Sequence, residues 1–428
     1  MMKPSGIEWI GNIPDDWKTN TAFQVFTQVK NKNDGLREQN LLSLSYGRIK
    51  RKSIETVGGL LPESFDGYNI IEADDIVLRL TDLQNDQKSL RVGLSPERGI
   101  VTSAYLTLRN RSNSLSKYLY YYLHAFDISK GFYGMGAGVR QGLNWDGLKW
   151  LKILTPPVPT QEKIVSFLDT ECARIDAVIE QTRASIEEYR KLKQSVITQA
   201  VTKGIRPGRK MKGSGVDWIG EIPEGWDRLT AHRIITSTQN GLTRRDLEES
   251  SGQIVLKLKN ISSSGVIDYS YINRVNLTEE EIERYTLERG DFLFVRVNGS
   301  KALVGKCAIF TGKDETVAYN DHIIRVRLNS LIEKEYFHWY LLSNVGRIEI
   351  DLRTSTAAGQ FTISGEGLRD INILLPPVDE QKQIVEYLDS YIEDINTLMG
   401  QKEAVITQLG SYKKSLIYEY VTGKKEVR

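Results

Sequence analysis

The sequence predicts an α+β chain: two mixed α/β globular units joined by two long helices packed as an antiparallel coiled coil, with an internal pseudo-two-fold repeat. Three observations predict it. Two pairs of similar blocks recur at nearly the same spacing, and short β-branched segments fill the stretch between them. Each copy then ends in a proline pair followed by a long run with helical apolar spacing.

The repeat carries most weight, because self-similarity at a fixed spacing decides the architecture before any single element does. Residues 5–17, SGIEWIGNIPDDW, match residues 214–226, SGVDWIGEIPEGW, at eight of thirteen positions with an offset of 209. Residues 154–169, LTPPVPTQEKIVSFLD, match residues 374–389, LLPPVDEQKQIVEYLD, at nine of sixteen with an offset of 220. Between them Asp75 answers Asp291, Arg109 answers Arg327, and Tyr118 and Tyr122 answer Tyr336 and Tyr340. The offset is constant within a block and rises only between blocks, as insertions in the loops of a duplicated fold require.

Within each copy, ADDIVLRL and TSAYLTLR, then DFLFVRVN, VGKCAIFTG and HIIRVRL, read as half-buried strands. Helices are expected over 114–126 and 332–345, their tyrosines standing at core spacing beside leucines. After Pro156-Pro157 apolar residues recur from Leu168 to Ala200, and after Pro376-Pro377 from Leu388 to Tyr420, in steps of three, four and seven. Thr160 and Asp379 are the expected N-caps. Each helix runs about 40 residues, or roughly 60 Å. The expected domains are 1–155 and 205–375, with the helices in 156–204 and 376–428.

Composition bounds the function. In 428 residues, 40% hydrophobic and 26% charged, a packed soluble protein is expected rather than a disordered one. Cys172 and Cys307 are too few for a disulfide framework or a zinc site, no apolar run reaches membrane-spanning length, and the start lacks a secretory pattern; the expected location is cytoplasmic. Net charge is only +2, so any nucleic-acid surface must be local, as in Arg48-Ile-Lys50-Arg51-Lys52 and the run Lys203 to Lys212. No phosphate-binding loop, dinucleotide fingerprint or methyltransferase motif occurs. His124, His232, His322 and His338 lack metal-ligand spacing, and Glu380-Gln381-Lys382, though of nuclease form, opens a helix and reads as helix surface. No catalytic constellation is found and no metal is expected.

Two divergent units, each closed by a Pro-Pro-Val-x-x-Gln helix, resemble the specificity subunit of Type I restriction–modification enzymes. The resemblance covers nearly the whole chain. It is carried by the paired Trp-Ile-Gly-x-Ile-Pro-x-x-Trp blocks, the two Pro-Pro-Val-x-x-Gln helices, and Arg296-Val-Asn298-Gly-Ser300 followed by Leu-Val-Gly-Lys306. It implies that each unit is a target recognition domain reading half of a bipartite, asymmetric DNA site. It implies that the helices set the spacer and dock two methyltransferase (modification) subunits, and that restriction subunits join. This chain then binds no cofactor; S-adenosylmethionine belongs to the methyltransferase subunits, and ATP and Mg to the restriction subunit.

Base reading needs Arg, Lys, Asn and Gln on loops that can enter a groove. The candidates for DNA are Arg48, Lys50, Arg79, Gln84, Asn85, Gln87, Lys88, Arg140 and Gln141 in the first copy. In the second they are Arg296, Asn298, Ser300, Lys301, Gly359 and Gln360. The repeated blocks outside these loops suggest matching docking sites for two copies of one partner: Trp9, Trp17, Pro156, Pro157 and Gln161, then Trp218, Trp226, Pro376, Pro377 and Gln381. For the tryptophans, core packing is the competing reading. A free-standing two-domain DNA-binding regulator, or a coiled-coil adaptor without DNA affinity, are the competing functions.

Overall fold

The computed structural model describes residues 1–53, 64–86, 89–136, 142–244, 251–262, 265–357 and 359–427. The candidates Gln87, Lys88, Arg140 and Gln141 lie outside them. The chain divides into one unit of residues 1–183 with 403–428 and another of residues 184–402.

The first unit is built on a four-stranded antiparallel sheet in the order Phe26–Gln28, Leu106–Asn110, Ile76–Leu78, Val92–Leu94. Ile76, Val77 and Leu78 are all buried, so the central strand is covered on both faces and reads as a continuous apolar run. The helix Ser116–Ile128 lays Tyr118, Leu119, Tyr122 and Phe126 into the core. Burial leaves the tyrosine hydroxyls needing acceptors. Tyr122 donates to the Lys152 carbonyl at 2.8 Å and Tyr118 to that of Val421 at 3.1 Å. Lys18–Thr21 pairs with Lys152–Thr155, so the chain enters and leaves side by side.

The second unit has the sheet order Ile235–Asn240, Ile323–Leu328, Phe292–Val295, Cys307–Ile309, again antiparallel. Asp227–Thr230 pairs with Asn372–Leu375 where the chain leaves. Tyr340 donates to the Asn372 carbonyl at 2.8 Å and Tyr336 to that of Leu374 at 3.0 Å. The helix expected over 332–345 is broken: Lys334–Leu342 stops at Ser343, and Asn344–Arg353 starts there, capped by the Ser343 hydroxyl accepting from Gly346. A side chain at Gly346 would meet the Tyr340 carbonyl, which fixes glycine at this bend.

The long helices are Val158–Lys203 and Val378–Val421, 46 and 44 residues. Thr160 and Asp379 are not their caps. The Pro157 and Pro377 carbonyls accept the first N–H groups, from Thr160 and Gln161 and from Glu380 and Gln381, so helix starts one step after each proline pair. In the first unit Ile164, Leu168, Cys172, Ile175 and Ile179 bury with Leu416, Ile417 and Val421. Phe167 meets Tyr420 with ring centroids 4.4 Å apart and Lys413 pairs with Asp176 at 2.6 Å, so these segments run antiparallel. In the second unit Ile197, Ala200 and Val201 bury with Ile384, Leu388, Ile392 and Ile395, and Lys193 reaches Asn396 at 2.8 Å. Tyr189 lies under the ammonium of Lys402, so these segments too are antiparallel. No helix among the described residues is long and apolar enough to cross a membrane.

Candidate nucleic-acid interface

In each unit one candidate loop, residues 79–86 or 296–301, leaves an inner strand of the four-stranded sheet, and an arginine paired with a buried aspartate fixes the turn before that strand. Arg109 donates to both oxygens of buried Asp75 at 2.8 and 2.7 Å, while Asp75 accepts from the Glu72 amide at 2.8 Å. Arg327 grips Asp291 at 2.8 and 3.2 Å, and Asp291 accepts from the Glu288 amide at 2.9 Å. A forked guanidinium on a carboxylate sets direction as well as attraction, and the bonded carboxylate raises the pKa of each arginine.

In the first unit the loop follows at once. Arg79 is half-buried, its guanidinium 4.0 Å from Asp86. Gln84 and Asn85 are exposed, with Asn85 donating to the Asp82 carboxylate at 2.8 Å. Leu143 donates to the Leu80 carbonyl at 2.9 Å, which brings the segment after residue 141 to the base of this loop. Arg48 and Lys50 share one face of the strand Arg48–Arg51 in a separate hairpin. Lys50 is exposed, whereas Arg48 is tied to Asp176 of the first long helix at 2.7 Å.

In the second unit the candidates converge. Val297–Asn298 pairs with Gln360–Thr362, which pairs with Ser355–Ala357. Asn298 stands opposite Phe361, next to exposed Gln360, and its side chain accepts from the Ser300 amide at 2.9 Å. Gly359 takes φ +76° in the turn before Gln360, where a Cβ is disfavoured. Ser300 and Lys301 are exposed. Arg296 is half-buried with its Nε enclosed and unbonded, so part of its fork points inward.

The repeated blocks turn inward, which corrects the docking expectation for most of them. Gln161 and Gln381 are 1% and 0% exposed. Gln161 donates to the Pro156 carbonyl at 2.7 Å and accepts from the Leu115 amide at 2.8 Å, at the start of a core helix. Gln381 does the same to Pro376 at 2.9 Å and Glu333 at 2.7 Å. The Pro-Pro-Val-x-x-Gln motif is thus a clamp between strand end and helix start. Pro156 and Pro376 are buried with it, while Pro157 and Pro377 are exposed. Trp17 and Trp226 are buried core. Half-buried Trp9 packs on Tyr122, Phe126 and Tyr418. Trp218 is 42% exposed, yet its indole donates to Glu349 at 3.0 Å. Glu380 is not helix surface: it is buried, accepting from Trp226 at 3.1 Å and gripped by Arg209.

Residues 91–188 and 245–408, together more than half of the chain, match the Type I restriction modification DNA specificity domain. The chain belongs to this family. It is 27% identical over 277 residues to the Type I restriction enzyme EcoKI specificity subunit of Escherichia coli strain K12, covering 64% of this chain and 58% of that one. To the StySPI specificity subunit of Salmonella potsdam it is 25% identical over 313 residues, covering 71% and 65%. The chain therefore spans less than two thirds of those relatives. A solved structure, described as the structural basis of complex assembly and conformational transition of the type I R-M system, matches with TM-score 0.70. It covers 96% of this chain and 99% of that one at 15% identity, a likeness of fold.

Several groups of this specificity domain take places that no local pattern in the sequence marks. Arg91 is fully buried with its guanidinium on loop carbonyls, and Arg325 holds the carbonyl of Thr286 at 3.1 Å. Glu349, also buried, gathers Trp218, Arg353 and the Asn372 amide. Each looks in sequence like an ordinary surface charge. The fold also brings His232 within 3.1 Å of Glu366 and 3.3 Å of Asp370, a neighbourhood no spacing predicts; all three are exposed.

Proposed function

We propose that this chain is the DNA-sequence-reading, non-catalytic subunit of a Type I restriction–modification complex, each unit reading one half of a bipartite, asymmetric site. The observation that carries it is a shared frame under divergent loops. The Asp–Arg pair, the tyrosine hydroxyls and the glutamine clamp recur in both units. The residues displayed beyond them differ, Gln84 and Asn85 in one and Asn298, Ser300 and Gln360 in the other. One frame holding two unlike polar displays suits two different half-sites. Family membership supplies the rest.

In this reading the two copies form a pseudo-two-fold repeat, residues 1–155 and 205–375 are the target recognition domains, and the long helices form the antiparallel coiled-coil spacer. Two modification subunits dock, each with S-adenosylmethionine for adenine methylation, and a restriction subunit using ATP and Mg joins them. Exposed Pro157 and Pro377, at matched helix starts, offer equivalent surfaces to two copies of one partner. Selection from a randomised duplex library by the full chain with its modification subunits tests the reading. Two short fixed blocks separated by an unread gap of constant length are expected. One continuous block, or no preference, contradicts it.

A further inference from the structure

The first unit contains a fully buried arginine that the reading of bases does not itself require. Arg91 donates from Nη1 to the carbonyls of Arg79 at 3.0 Å and Thr81 at 2.9 Å. Its Nη2 reaches the carbonyls of Asp82 at 3.4 Å and Asp86, and its Nε donates to the Tyr133 hydroxyl at 3.1 Å. That hydroxyl donates in turn to the Asp86 carbonyl at 3.2 Å, and the Arg91 amide is held by buried Asp127 at 2.6 Å. One guanidinium therefore pins the main chain of residues 79–86 at four points. Drawing these carbonyls inward leaves Gln84 and Asn85 facing solvent. Tyr133 ties the same guanidinium to the last residue of this stretch, so the displayed loop is held at both of its ends.

The second unit solves the same problem differently. The Arg79 amide donates to the Arg91 carbonyl at 2.9 Å, and at the matching rung the Val295 amide donates to that of Lys306 at 2.8 Å. Lys306 thus takes the place of Arg91, and an ammonium lacks the planar fork that spans several carbonyls. There the loops are joined by strand pairing of Val297 with Thr362, and Arg347 holds the Val304 carbonyl at 2.7 Å. A buried arginine satisfied mainly by neutral carbonyls is costly unless every donor is placed. In the first unit that cost falls at the root of the displayed loop, whereas the buried Arg325 of the second unit holds the carbonyls of Arg284 and Thr286.

We infer that Arg91 is the positioning residue that holds the loop of residues 79–86 in the conformation that recognises the first unit's half-site. The inference rests on the DNA-reading function proposed above. The test takes the full chain with its modification subunits and a randomised duplex library, comparing wild type with Arg91→Lys and Tyr133→Phe. Arg91→Lys keeps the charge and installs the residue of the second unit. Tyr133→Phe removes one bond to Arg91 and one to Asp86, leaving the ring in place. Arg91→Lys is expected to lower preference at the first half-site about tenfold or more, and Tyr133→Phe about two- to fivefold, with the second half-site unchanged. Either folded variant keeping full preference at both half-sites overturns the inference, as does equal loss at both. If Arg91→Lys does not fold, Tyr133→Phe decides. A wild-type chain that selects no sequence would sink the DNA-reading proposal first, and is seen before any variant is compared.

Discussion

Lys301 and Gln360 are both exposed in the second unit, and chemistry gives them different work. An ammonium is a point charge suited to phosphate, whereas a carboxamide offers a donor and an acceptor side by side, the pattern of an adenine edge. Lys301→Ala should weaken binding to every sequence and reduce the salt slope by about one phosphate contact. Gln360→Ala should remove about 1–3 kcal/mol of discrimination at one base position of one half-site. Binding titrations across salt and across point-substituted sites separate the two, and unchanged affinity, slope and preference would take both residues out of the interface. Arg296 is the poorer probe, because its enclosed Nε makes truncation a packing change as well. A second residue-scale prediction concerns acid. Burial lowers the pKa of His338 to about 4, and its Nδ1 lies 3.6 Å from the Cys307 sulfur. The ring is uncharged in the fold but titrates near 6.5 unfolded. Its contribution is present above 6.5 and lost as pH falls toward 4. His338→Gln should flatten the decline of the second unit's stability in that window, measured by hydrogen exchange; an unaltered decline would remove His338 as its cause.

At the scale of elements, the glutamine clamps explain why a motif outside the reading loops recurs. Gln161→Ala should leave the Leu115 amide without its acceptor and destabilise the first unit by about 1–3 kcal/mol, and Gln381→Ala the second by a similar amount. Unit-resolved hydrogen exchange checks this; normal exchange with weakened binding of the modification subunits would restore the docking role. The sequence made the repeat, the strands and the long helices legible because periodicity and proline punctuation are local. It did not separate a clamp from a docking site, since a constraint imposed twice by the same frame repeats as faithfully as one imposed by a partner. Thr160 and Asp379 have capping chemistry, but the Pro157 and Pro377 carbonyls begin the helices instead. Glu380 has the form of a surface acid, and only the packing of Trp226 and Arg209 against it reveals its burial. Arg91 is hidden for the same reason: nothing in Leu-Arg-Val-Gly-Leu tells a buried fork from a solvated one. In the candidate interface, residue types on loops were readable, and their convergence, as of Asn298 with Gln360, was not, because strand pairing across some sixty residues creates it.

For the whole molecule, the proposed function requires that two frames of the same design read two different half-sites, each independently. Energetic independence is expected because each unit has its own sheet, its own arginine on a buried aspartate and its own core. Changes at sites with no shared partners combine nearly additively. The decisive measurement exchanges residues 1–155 for the corresponding segment of a relative and maps adenine methylation in a host that carries the chimaera with its modification subunits. A new first half-site, an unchanged second half-site and an unchanged gap are expected. A chimaera that folds and methylates with both half-sites altered, or with neither altered, would contradict the proposed function.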